Sequence, residues 1–357
     1  MPNTRKVFKG LLFALAACAL WSTLYIHTDF IAPYGTADLA IVRFLFSTAL
    51  ALSVAVLSGN ARRLLVNRPY QDWLSAGLLG FLGFTGYFFF LATAIKYTSE
   101  VITVSIIGMI AIVTMVANNL IYKEFPWRSI VLPVFLAIVG VALIVGAQIQ
   151  SGQFSLRDMR GCLGLASATI ALAMWSSYQV LNKRALLKRP LMPTEDWTLL
   201  TLIAGAAALP LLILMLPFSP VANEFGLFTQ PVGAPTLALT GWGFFLALGA
   251  SLLSLYAWNT AQTYLPPALS GQSVVLLLPM VFGLGWHYGR FSQSSMPIGI
   301  GIVFLLGSVG ATIMLRYRVA ARASHDTPSL KSVEERKGRY QSDMPLPQKP
   351  IGAPGRF

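Results

Sequence analysis

KYTSEVITVSIIGMIAIVTMVANNLIYKE, from Lys96 to Glu124, carries no charged side chain between Glu100 and Lys123. That run is longer than the roughly 20 residues a helix needs to cross the hydrocarbon core of a bilayer, so the stretch predicts a membrane span. A second stretch, QTYLPPALSGQSVVLLLPMVFGLGWHYGR from Gln262 to Arg290, follows the same plan. In both, a tyrosine precedes the apolar run, small and hydroxyl or amide residues fill its first turns, and a basic residue closes it. Laying Tyr97 on Tyr264 brings Ser105 onto Gln272 and Lys123 onto Arg290. One membrane element is written twice.

Composition generalises this reading. Of 357 residues 55% are hydrophobic and 11% charged, against about 25% charged in soluble domains. The net charge of +13 is not gathered into one stripe, so it predicts no nucleic-acid partner. Cys18 and Cys162 lie inside apolar segments and offer neither a disulfide framework nor a metal spacing. No motif of the GxxxxGKS type is present, which argues against ATP drive. The sequence predicts no cofactor and no metal.

Ten apolar segments can be marked: about 8 to 27, 38 to 58, 73 to 94, 99 to 122, 129 to 149, 161 to 182, 197 to 217, 236 to 262, 268 to 288 and 297 to 316. The first follows Arg5, Lys6 and Lys9 as a signal peptide would, but its length and the spans after it predict an uncleaved helix. Lysines and arginines concentrate in cytoplasmic loops. With the N-terminus inside, Arg5, Lys6, Lys9, Arg62, Arg63, Arg68, Lys123, Arg128, Lys183, Arg184, Lys188 and Arg189 fall inside, while Lys96, Arg157, Arg160 and Arg290 fall outside. The tail from Arg316 holds nine more basic residues, and Arg43 is the one basic residue within a span. Both termini are therefore predicted cytoplasmic. The tail, 319 to 357, is rich in charge, Pro and Ser and is expected to be disordered. Its basic residues either attract anionic membrane lipids, at about 1 kcal/mol each, or act as a solubilised positive-inside stop.

The duplication extends further. LWSTLYIH, Leu20 to His27, matches MWSSYQVL, Met174 to Leu181, at an offset of 154 residues. The first copy runs in-to-out and the second out-to-in, so two five-segment halves joined near residue 155 have opposite topology. Inverted repeats of this kind build many secondary transporters, with the substrate site near the midplane between them. The fold class read here is all-α and polytopic: ten transmembrane helices in two inverted five-helix repeats (5+5), residues 1–154 and 155–318.

ALWSTLYI, IVRFLFSTALAL (Ile41 to Leu52), AIKYTSEVITVSIIGMIAIVTMV followed by YKE, and GVALIV (Gly140 to Val145) resemble the first half of EamA-type transporters of the drug/metabolite transporter superfamily. MWSSYQVLNKR and YAWNTAQTYLPPALSGQ resemble the second half. The resemblance covers nearly all of the chain except the tail. It implies a central cavity lined mainly by the first, third and fourth helices of each repeat, and export of an amino acid or related metabolite across the inner membrane. Departures are Glu100 in place of a small residue after Ser99, the absence of a mid-helix proline from the fourth span, and the amide pair Asn118 and Asn119.

All thirteen acidic residues lie at segment ends, in loops or in the tail. A pump for lipophilic cations needs a buried carboxylate, so that class is disfavoured. Arg43 stands about 8 Å along a helix from Asp38. It either binds a substrate carboxylate or phosphate, or pairs with Asp38, Glu100 or a backbone carbonyl while its stem reaches the outer surface. The faces Ile102, Ser105, Met109, Ile112, Val116 and Leu269, Gln272, Leu276, Pro279, Gly283 recur at helical steps. If both face the cavity, Ser105, Gln272 and Ser273 are its polar anchors and Met109 part of its apolar wall. Trp21, Tyr25, Tyr87, Trp175, Tyr178, Gln179 and Trp258 would add stacking surface and amide bonds, unless they face lipid. His27, Glu100 and Pro279 are candidates for gating or proton coupling, against plainer roles in interfacial packing, helix capping and kinking. The expected substrate is a small polar or amphipathic metabolite. An intramembrane transferase using His27 with Asp29, and a lipid flippase or scaffold, are the alternatives. The sequence leaves monomer and homodimer open.

Overall fold

The structure, a computed structural model, describes residues 4–26, 30–123, 125–152, 154–215, 232–265, 273–288 and 295–326. Among them every regular element is helical. Bilayer hydrocarbon offers backbone groups no water, and a helix satisfies them within its own segment.

The elements in order are α1 (Thr4–Ser22) with a 3-10 turn (Thr23–Tyr25), α2 (Thr36–Leu57), the short α3 (Ala61–Leu65), α4 (Tyr70–Gly80), a π-helical segment (Phe81–Thr85) and α5 (Gly86–Tyr97). Then follow α6 (Glu100–Gly108), α7 (Ile110–Tyr122), α8 (Trp127–Gln150), α9 (Met159–Lys188), α10 (Thr194–Gly205) and α11 (Leu209–Met215). The last are α12 (Ala234–Leu246), a second π segment (Ala247–Leu253), α13 (Ser254–Tyr264), a 3-10 turn (Ser273–Leu276), α14 (Leu277–His287) and α15 (Ser295–Asp326). Among the described residues seven helical runs are long and apolar enough to cross a membrane: Arg5–Tyr25, Thr36–Leu57, Tyr70–Tyr97, Glu100–Ala117, Trp127–Gln150, Ala234–Tyr264 and Met296–Leu315. Large apolar side chains line outer faces, as Val131, Leu132, Phe135 and Ile138 do on α8. A soluble protein does not expose such a stripe, whereas lipid covers it without cost.

The stretch from Lys96 to Glu124 is two helices in line. Ser99 accepts a hydrogen bond from the Ile102 N–H and caps α6, with Glu100 in its first turn. The ladder breaks at Met109 although no proline stands there. Beside the break, a Cβ on Gly108 would lie 2.6 Å from Leu278 Cδ1, so α6 and α14 meet almost backbone to side chain. At the other end Lys123 turns left-handed (φ 50°), and the Asn119 Oδ1 accepts from the Phe125 N–H at 2.7 Å. That bond gives Asn119 a local purpose, closing the turn behind α7; the Asn118 side chain lies outside the described residues.

Four packings dominate: α5 on α9, α1 on α13, α4 on α10, and α2 on α12. Small residues set the closest of them. Gly80 and Gly205 face each other across α4 and α10, and a Cβ on Gly80 would stand 2.5 Å from the Gly205 Cα. Gly83 lies under the Tyr178 ring and Gly86 against Met174 Cε, which gives the three-residue glycine repeat to helix contact. Gly140 and Gly301 bring α8 and α15 together in the same way.

The chain divides into two compact units, Met1–Ile313 and Met314–Phe357. In the second, residues to Asp326 are helical; RYRVAARA holds several good helix formers. The remainder of the tail lies outside the described residues.

Candidate functional site

A narrow cavity of about 20 Å³ lies among buried side chains inside the helices, lined by Trp21, Leu24, Tyr25, Arg43, Gly83, Phe84, Tyr87, Phe88, Ile107, Trp175 and Leu277. α1 and its 3-10 turn, α2, the first π segment with α5, α6, α9 and α14 all contribute. Its volume suits one water and not a metabolite, so the lining has closed on itself.

Aromatic rings do the closing. Trp21 meets Trp175 edge-on at 4.9 Å and Trp258 at 5.4 Å. Trp175 in turn lies 4.8 Å from Tyr87 and 5.2 Å from Tyr178. Such pairs contribute about 0.5–1.5 kcal/mol each beyond burial. Trp21 and Trp175 are also the equivalent residues of the two copies, LWSTLYIH and MWSSYQVL.

Arg43 is the charge at the centre, 2% exposed. Its Nε donates to Ser251 Oγ at 2.9 Å and its Nη2 to the Ala250 carbonyl at 3.1 Å. The second π segment makes that carbonyl free, because the Ser254 N–H bonds Gly249 O and Ser251 O instead of Ala250 O. Phe88 and Phe44 sit under the guanidinium at 4.5 and 5.0 Å. Of the pairings the sequence allowed, the structure selects the backbone carbonyl, adds a serine and directs the side chain inward instead of to the surface. Nη1 has no partner. Trp175 Nε1 has none either, and Tyr25 Oη, beside the Tyr87 hydroxyl, lacks hydrogen-bond geometry.

The structure thus brings together Trp21, Tyr25, Arg43, Tyr87 and Trp175, with Tyr178 and Trp258 behind them. Ser105 is buried in α6 off the lining, its hydroxyl donating to Val101 O at 2.6 Å. Met109 sits half-buried at the helix break, and Pro279 is exposed in α14. Ser273 is buried, and its carbonyl faces the Cys18 thiol at 3.7 Å. Glu100 occupies the first turn of α6. His287 ends α14, edge-on to Tyr288. Gln272, His27 and Asp29 lie outside the described residues.

Two clusters escaped the sequence reading. In one, Asn182 joins three helices: it accepts from Trp197 Nε1 at 2.9 Å and donates to Asn259 Oδ1 at 2.8 Å and Gln262 Oε1 at 3.0 Å. Asn259 continues to Thr198 at 2.9 Å, and Gln262 reaches Gln179 at 3.5 Å. Lys183 donates to the Gln262 and Leu265 carbonyls. The signal was available, since amides inside apolar spans need partners and are one another's best candidates. The other cluster is ionic. Asp196, 1% exposed, takes Arg63 and Arg68 at 2.8 Å each, and Asp72 takes Arg189 Nε at 2.7 Å while the guanidinium covers Trp197. Each pair joins a residue before 154 to one after it, a separation no local pattern reveals.

Residues 8–146, which carry most of this lining, match the EamA-like transporter family. That match and the relatives below support an EamA-type member of the drug/metabolite transporter superfamily. Similarity to curated proteins extends beyond the matched stretch: the inner membrane protein YtfF of Escherichia coli (strain K12) is 26% identical over 92% of this chain and all of its own length. The uncharacterized transporter YyaM of Bacillus subtilis (strain 168) is 24% identical over 63% of this chain and 68% of its own. A solved crystal structure, 20% identical, superposes with a TM-score of 0.60 over 87% of this chain and 98% of its own, a likeness of fold. The chain is an integral multi-pass membrane protein.

Proposed function

We propose that the protein is a secondary transporter that exports a small polar or amphipathic metabolite, an amino acid or related compound, by alternating access around the Arg43 cavity, and that it is not an enzyme. The observation that carries this reading is the narrow aromatic cavity itself. A buried site with a cation, at the meeting of helices from both sequence halves, is what a carrier between open states needs.

The same proposal takes the ten segments as two inverted repeats, 1–154 and 155–318, followed by a basic tail, with both termini cytoplasmic. The packing pattern supports it. Exchanging the halves turns α5 on α9 into α13 on α1, and α4 on α10 into α12 on α2. The π segments support it too: shifting Phe81–Thr85 by 167 residues, the shift that lays Tyr97 on Tyr264, gives 248–252, inside Ala247–Leu253. Rocking of the halves then opens one end by separating Arg63 and Arg68 from Asp196, and Asp72 from Arg189. By the distribution of basic loops that end is the cytoplasmic one.

The test is a growth screen of overproducing cells against toxic amino acids, nucleosides and amphiphilic compounds, followed by counterflow of each hit in vesicles holding the purified protein. Saturable, trans-stimulated flux of at least one compound is expected. Protection in cells without flux in vesicles would refute a carrier.

A further inference from the structure

We propose that the guest admitted when the cavity's rings part is a monocarboxylate with an apolar body, its carboxylate bound by Arg43 Nη1 and its body held between Trp21, Tyr25, Tyr87 and Trp175. This rests on the transport reading and narrows it, away from amino acids themselves to related acids without the amine. An arginine stays charged at any accessible pH, so its burial needs an opposite charge or a full set of acceptors. Arg43 has neither: among the described residues it makes no ion pair, and none of the cavity's lining side chains is a carboxylate or an amide. The rings of Phe44 and Phe88 and two hydrogen bonds offset part of the cost.

Those two bonds also define what can bind. With Nε and Nη2 held by Ser251 and Ala250, the guanidinium is fixed and presents one free nitrogen. Among the described residues the other unpartnered group of the lining is Trp175 Nε1, which only donates, while the Tyr25 hydroxyl lies beside that of Tyr87 and can turn to donate. The guest therefore supplies acceptors and negative charge. A phosphate dianion needs several cationic or amide donors, more than this set offers. A singly charged carboxylate fits one guanidinium nitrogen and one or two neutral donors. An ammonium would stand beside the guanidinium with only tyrosine hydroxyls and aromatic faces to receive it and no carboxylate, so acids lacking a free amine are preferred over zwitterions. Leu24, Ile107, Leu277 and Phe84 make the remaining surface apolar, which selects a body of hydrocarbon or aromatic character.

Calorimetric titration of the purified full-length protein with phenylacetate, acetate, phenylacetamide and phenethylamine decides the matter. Phenylacetate is expected to bind saturably and roughly tenfold or more tighter than each of the others, the amount one charge-assisted hydrogen bond contributes. In Arg43→Gln the preference of acid over amide disappears. Equal or tighter binding of the amide or amine, no saturable binding of phenylacetate, or an unchanged preference in folded Arg43→Gln would each overturn the proposal. The acid-against-amide comparison uses the unmodified protein, so it decides the question even where the variant does not fold. Counterflow separates this proposal from the reading beneath it. Phenylacetate bound without flux of any compound leaves the subsite standing and removes transport; flux of amines or neutral solutes that Arg43→Gln leaves unchanged keeps transport and removes the subsite.

Discussion

Asp196→Asn removes the single negative charge that two arginines share while keeping the side chain's size. Asp196 is 1% exposed and Arg68 18%, so their 2.8 Å contact behaves as a buried pair. Breaking such a pair leaves a cation without its partner and costs about 3 kcal/mol. Arg63, at the same distance but 50% exposed, is screened by solvent and contributes less than about 1 kcal/mol. The variant should therefore lose about 3 to 4 kcal/mol, almost all of it through Arg68. Reversible unfolding of the purified protein in mixed micelles measures this, and double-mutant cycles apportion it. Arg68→Gln with Asp196→Asn should give a coupling of about 2 kcal/mol or more, and Arg63→Gln with Asp196→Asn a coupling below about 1 kcal/mol. Equal couplings would show that exposure does not rank the two contacts, and a coupling near zero for Arg68 would refute the buried pair altogether.

Gly80→Ala should destabilise by about 1 to 3 kcal/mol, because its methyl meets the Gly205 backbone, which cannot turn aside; Gly77→Ala, whose methyl would have ordinary contacts at 3.6 and 3.8 Å, should be tolerated in the same unfolding assay. Asn182→Leu strands Trp197, Asn259 and Gln262 and should cost about 2 kcal/mol, given about 0.6 kcal/mol for an average interhelical bond in membranes; a stability equal to the parent's would show that the network is idle. Exposed Cys162 should react with a membrane-impermeant maleimide applied to intact spheroplasts, and buried Cys18 should not. Labelling of Cys162 only in inside-out vesicles would reverse the proposed orientation.

Much of the fold was legible because lipid imposes a simple rule on sequence. A charge-free run such as Val101 to Tyr122 has few options but to span, and a doubled pattern at Tyr97 and Tyr264 shows before any coordinate does. The aromatic half of the candidate site was legible through the paired WS motifs at Trp21 and Trp175. Ser105 illustrates the limit: helical spacing assigns a residue to a face, but its hydroxyl bonds Val101 O in its own helix, an alternative that serine and threonine always have. The helix break at Met109 and the partners of Arg43 were illegible for another reason. Neither proline nor any local motif marks the π segment that frees the Ala250 carbonyl.

The sequence by itself determined that the chain is helical, enters the membrane repeatedly, keeps carboxylates out of mid-span and admits one buried cation. These follow from composition and spacing, since the cost of charge in hydrocarbon acts on each residue alone. Tertiary structure alone decided that Arg43 turns inward with one nitrogen unspent, that Trp21 and Trp175 close over it, and that Asp196 and Asp72 fasten residues more than a hundred positions away. Those outcomes depend on which helices lie side by side, and helix contact in lipid is settled by small residues and shape at a distance in sequence.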